Sequence, residues 1–121
     1  MAVSLVVLVS GGSYTQREAA IVDSLRLSSP SAMNAVILEG LPDGNPQLIA
    51  GSTLQLHRIA PGCMCCIGNL VLRVTLNRVL KHRPAHLYLS LAENAHVEKI
   101  LQFLAQAPYN TLLALDSEIR I

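Results

Sequence analysis

This chain has no tryptophan, one phenylalanine and three tyrosines, so aromatics make up only 3% of its 121 residues. With so few stacking side chains and a net charge of only +1, it lacks both the platform and the field of a nucleic-acid-binding surface. Charge of either sign is scarce at 14%, while apolar residues reach 51%. A water-soluble chain this apolar buries its elements on both faces, or presents a face to a partner. No apolar run approaches the roughly 18–20 residues that span a bilayer, so no membrane association is expected. The opening Val3-Ser4-Leu5-Val6-Val7-Leu8-Val9 has no basic leader and no small-residue cleavage site, which argues against a signal peptide. Cysteine is absent from most of the chain, and the odd count of three does not build a secreted disulfide scaffold. These absences point to one cytoplasmic α/β domain over residues 1–121, long enough to close a core.

All three cysteines stand in Gly62-Cys63-Met64-Cys65-Cys66. Around them the apolar patterning alternates between strand and helix. Leu5 to Val9 and Ala35 to Leu38 are short apolar runs of the kind that form buried parallel strands. Between them, Thr15 opens a helix to about Leu27, and Thr15-Gln16-Arg17-Glu18 has the spacing of a capping box. Gly40 to Pro46 is loop by composition. Leu54 to Ile59 alternates, predicting a strand with one wetter face, and a helix follows from about Ile67 to His82. Its Asn69, Arg73, Asn77 and Lys81 recur as a polar stripe, read as a wet face. Strand His86–Leu91, a helix with Val97, Ile100, Leu101 and Leu104 on one face, and a buried strand Leu112–Leu115 complete the pattern. The expected architecture is three-layer α/β/α with a mostly parallel sheet.

In this order the pieces resemble the front half of the P-loop GTPase domain of the CobW-type metallochaperones, relatives of the urease and hydrogenase nickel-insertion GTPases. The likeness is strongest from Gln47-Leu48-Ile49, through Leu54 to Ile59, to Gly62-Cys63-Met64-Cys65-Cys66. The family's phosphate loop, Gly-x-x-Gly-x-Gly-Lys-Thr, falls on Gly11-Gly12-Ser13-Tyr14-Thr15-Gln16-Arg17-Glu18. Tyr14 and Gln16 replace glycines, Arg17 replaces the phosphate-binding lysine, and Glu18 replaces the hydroxyl that holds magnesium. A degenerate loop of Gly11, Gly12 and Arg17 argues against nucleotide binding, because an anion there would meet the Glu18 carboxylate and a capped helix end. The magnesium-sensing acid and the glycine after the fourth strand match Ser90 and Glu93, and the base-reading motif is absent. The resemblance thus implies a scaffold without its GTPase, and a working GTPase is disfavoured.

Three thiolates suit zinc or a softer ion, and a helix starting at Ile67 would favour the thiolate at Cys65 and Cys66. Three sulfurs leave a tetrahedral ion one ligand short. The resemblance offers Glu39, and His57 is a second candidate. Two other readings stay open: inert packing inherited with the scaffold, and thiol redox chemistry, since Cys63 and Cys66 also make a Cys-x-x-Cys. His82, His86 and His96 are read as solvated, and Glu18 and Glu93 as first-turn or capping acids. The first expectation is therefore a non-catalytic, zinc-binding domain with a metal-recipient protein as partner. The second is an interaction module whose last strand is a bare edge open to a protein partner or a homodimer.

Overall fold

The computed structural model describes residues 3–28, 31–42, 44, 46–60 and 70–121. The apolar runs form the middle of a sheet. β1 (Ser4–Ser10), β2 (Asn34–Glu39) and β4 (His86–Leu91) are almost wholly buried, whereas β3 (Leu54–Ile59) and β5 (Leu113–Arg120) lie at the two edges. The strand order is β3-β2-β4-β1-β5, and every pairing among the described residues of these strands is parallel. Parallel strands require crossover segments; α1 joins β1 to β2, α2 joins β3 to β4, and α3 with α4 joins β4 to β5, whereas no helix is assigned among the described residues between β2 and β3.

Alternation along each strand separates two cores. Val7, Val9, Val36, Leu38 and Tyr88 face α1 (Tyr14–Leu25) and its Ile21. Val6, Leu8, Ala35, Ile37, Leu87 and Leu89 face the opposite layer. That layer is α2 (Leu70–Leu80), α3 (Val97–Leu104) and the short α4 (Tyr109–Leu112), which contribute Leu72, Leu76, Ile100, Phe103 and Tyr109. Among the described residues, one helix on one face and three on the other make the three-layer α/β/α fold that the patterning predicted.

Three local expectations need correction. α1 begins one residue earlier than expected, so its capping box is Ser13 with Gln16 rather than Thr15 with Glu18. The Gln16 amide donates to Ser13 Oγ at 3.1 Å, and the Ser13 amide donates to Gln16 Oε1 at 2.8 Å. Shifting the box by two positions frees Glu18 for the interior. The polar stripe on α2 is more than a wet face: Arg73 lies 4.9 Å above the Phe103 ring, and Asn77 Oδ1 accepts from the Tyr109 hydroxyl. Finally, Leu112 ends α4, and the last strand runs from Leu113 to Arg120 with most of its residues exposed. β5 is not a buried strand, because it has β1 on one side only and a bulge at Asp116, where Val6 faces Leu115 and Val7 faces Ser117.

Candidate functional site

β1 and β4 are neighbours whose chains leave for opposite faces, β1 into α1 and β4 towards α3. In open α/β sheets ligands bind in such a crevice at the C-terminal ends of the strands. Gly11 and Gly12 turn the chain there with φ of +86° and +59°, a region unfavourable to other residues. At Gly11, where the clash is with backbone, space demands glycine as well. A Cβ on Gly11 would lie 2.6 Å from the Ile121 carbonyl oxygen, and one on Gly12 would lie 2.5 Å from Gln16 Oε1. Ile121 is held against the turn by its amide, which donates to the Ser10 carbonyl at 2.9 Å.

Arg17 reaches into this crevice from the first turns of α1 and is only 3% exposed. Its Nε donates to Ser90 Oγ at 2.8 Å and its Nη2 to the Glu39 carbonyl at 2.9 Å. Nη1 donates to the carbonyls of Gly12 at 3.2 Å and Gly11 at 3.4 Å. Burial lowers the guanidinium's pKa, an effect opposed by the nearby Glu39 charge. The residue standing where the resemblance places a phosphate-binding lysine thus spends its donors inside the protein.

Glu18, one position on, is 1% exposed and does not cap a helix. Its Oε2 accepts from the backbone amides of Leu48 at 2.7 Å and Gln47 at 2.9 Å, and from Arg58 Nη2 at 3.0 Å. Arg58 also donates to the Leu48 carbonyl at 3.1 Å and to the Tyr14 hydroxyl. Burial alone would raise the Glu18 pKa, but the bonds from Arg58, Leu48 and Gln47 outweigh it and hold the carboxyl below its ordinary range. The Glu18 hydrogen bond correspondingly raises Arg58. Sequence reading overlooked Arg58, although a signal existed: strand alternation puts it on the same face as Leu54 and Leu56, where a charge requires a partner.

Glu39, at the end of β2, is fully buried. Its Oε1 accepts the Ala92 amide at 2.9 Å, and the amide of the next residue, Gly40, donates to the Ile59 carbonyl at 3.0 Å. His57 stands opposite Ile37 and Glu39 opposite Ile59, so by alternation both candidate ligands lie on the α2–α3 face, two positions apart on adjacent strands. Glu39 is the last residue of β2, and His57 is the fourth of the six residues of β3. Burial and the Arg78 charge lower its pKa, favouring the neutral imidazole that ligates metals.

Cys63, Cys65 and Cys66 fall in 61–69, outside the described residues. Among the described residues no cluster of three His, Cys, Asp or Glu side chains is placed to hold a metal ion, so Glu39 and His57 do not form a centre by themselves. His86 and His96 correct a further expectation. His86 is half-buried at the start of β4 with its Nδ1 enclosed and without a hydrogen-bond partner, and His96 lies 3.9 Å from the Glu93 carboxylate with its side chain 21% exposed. Neither is simply solvated.

No helix among the described residues is long and apolar enough to cross a membrane. No family model matches the chain, and no solved structure matches it. The chain is similar to a curated protein of Escherichia coli (strain K12), the Zinc chaperone YeiR, with 27% identity over 117 residues. The match covers 94% of this chain and 36% of that protein, so the chain spans little more than a third of the relative's length.

Proposed function

We propose that this chain is a zinc-handling domain of the CobW type that holds the ion through Cys63, Cys65 and Cys66. The observation that carries this reading is the similarity to a zinc chaperone over nearly the whole chain, in a sequence whose cysteines all fall within four consecutive positions. Zinc is then cargo rather than a resident cofactor. Three thiolates hold a tetrahedral ion firmly and leave a fourth position open for transfer to a metal-recipient protein. His57, kept neutral by burial, or Glu39 is the side chain proposed to take that fourth position until a recipient displaces it. Thiolate ligation competes with protonation, so uptake weakens in acid. A reducing compartment such as the cytoplasm is the setting this chemistry requires.

Zinc titration of reduced, tag-free protein tests the proposal. One zinc per chain is expected, with uptake lost in Cys65→Ser. A wild-type protein that takes up no zinc overturns it.

A second reading, an interaction module that pairs with a copy of itself, is favoured by β5. This edge strand exposes half of Leu115 beside an apolar cavity of about 310 Å³ lined by Val6, Leu101, Leu104 and Leu113. Light scattering decides it: growth in mass with concentration supports self-pairing, and a monomer at every concentration rules it out.

A further inference from the structure

A glycine turn before a helix binds an anion when its backbone amides converge on one point. In this chain the atoms of the turn that converge are carbonyls. Those of Gly11 and Gly12 meet one guanidinium nitrogen, and the Glu39 carbonyl and Ser90 Oγ meet the other two. Three amides at the start of α1 are already engaged: Ser13 N with Gln16 Oε1, Gln16 N with Ser13 Oγ, and Arg17 N with the Ser13 carbonyl. Ile121 packs on the outer side of the turn, close enough to exclude even a methyl group at Gly11. The polarity of the crevice is therefore the reverse of a phosphate site.

We propose that the Gly11–Gly12 turn is a guanidinium cradle, filled by the chain's own Arg17, and that it rejects polyphosphate. The planar fork suits this task, since its donors are fixed in directions that a lysine ammonium cannot reproduce. Each partner sits on a different segment: the turn after β1, the end of β2 and the end of β4. Arg17 thus ties together, permanently and from within, the strand ends that a nucleotide would join only while bound. The proposal does not depend on the zinc reading, because none of its atoms belongs to Cys63, Cys65 or Cys66.

Thermal melting of the whole chain, with small-molecule probes, tests the cradle. Arg17→Ala is expected to lower the melting temperature by about 10 °C, as loss of a group that satisfies several buried acceptors implies. Millimolar methylguanidinium should return part of that loss, methylammonium should not, and neither should move the wild type. An equal response to both probes, or no response to methylguanidinium, overturns the assignment of a planar-cation site. Arg17→Lys gives an independent arm should the alanine variant fail to fold. It keeps the charge but not the fork, so a melting temperature equal to wild type overturns the proposal and a clear decrease supports it. In the wild type, inorganic tripolyphosphate with magnesium should leave melting unchanged. Stabilisation by tripolyphosphate that disappears in Arg17→Lys would show that Arg17 swings out to take phosphate, and would overturn the cradle.

Discussion

β4 and β5 flank the same central strand, yet they are different kinds of strand. β4 pairs with β1 through six residue positions and β5 through seven, so the extent of pairing does not separate them. Cover does. β4 lies between β2 and β1 with helices over both faces, and five of its six residues are buried. Among the described residues β5 has one neighbouring strand, and of its eight residues only Leu113 is buried. The polar groups differ in the same way. Ser90 at the end of β4 is gripped by buried Arg17, while Arg120 at the end of β5 reaches only Glu118, two residues away, at 3.3 Å in an exposed pair. Backbone pairing makes both segments strands, but burial determines which one the fold depends on.

Charges offer the widest test of that contrast. Arg58→Ala leaves the Glu18 carboxylate buried without its cation, a type of loss that costs about 3–5 kcal/mol. Arg58 is itself partly exposed, so the lower end of that range is expected, read as a reduced urea midpoint. Arg120→Ala, on the open side, should cost no more than about 0.5 kcal/mol, as exposed pairs do. Comparable losses at the two positions would erase the distinction between covered and open sides.

Apolar truncation repeats the comparison without charge. Leu89 is fully buried in β4 and Leu115 is half exposed in β5. Leu89→Ala should cost about 2–5 kcal/mol, because it leaves a cavity between packed layers. Leu115→Ala should cost less than about 1 kcal/mol, because it removes little buried surface. Urea denaturation of both variants checks the ratio.

The covered side was also the legible side. β1, β2 and β4 are continuous apolar runs, and such runs are legible because burial on both faces leaves no room for polar residues. Apolar patterning ends the last strand at Leu115, because Asp116-Ser117-Glu118 breaks the run. An edge strand carries charge at no cost and gains protection from unwanted pairing. The candidate site was harder to read for a different reason. Arg17 and Glu18 are adjacent on α1, yet one bonds to carbonyls on two segments and a serine hydroxyl on a third, and the other to amides and Arg58 across the sheet. Local spacing assigned Glu18 to a capping box, but its partners are 29 to 40 positions away in sequence. Periodicity carries no information about contacts at that distance.

Acid should weaken the covered side in two steps. His57 has a folded pKa below its ordinary 6.5, so the folded state resists protonation. Its contribution is complete above 6.5 and is lost as pH falls below that value. Glu18 has a folded pKa below its ordinary 4.5, so its contribution is complete above 4.5 and is lost as pH falls through the lower folded value. Melting followed from pH 8 downward should therefore decline below about 6.5 and again in strong acid. His57→Gln should remove the first step and leave the second. Arg58→Ala should flatten the second, because the bond that lowers the Glu18 pKa is gone. A first step that survives in His57→Gln would assign it to another group.

The smallest stability effect is expected where association is at stake. Leu115→Lys replaces a half-exposed apolar side chain on the edge strand with one whose stem can lie along the same surface and whose ammonium stays in water. Folding stability should change by no more than about 0.5 kcal/mol, the usual range for surface substitutions. Edge pairing between copies is far more sensitive, because a lysine on each partner strand brings like charge to a two-fold contact and blocks entry to the apolar cavity beside it. If wild-type mass rises with concentration and Leu115→Lys remains a monomer of unchanged stability, β5 is an interface and its exposure is functional. If the variant associates as the wild type does, the contact lies on another surface. The difference between β4 and β5 is then one of burial alone.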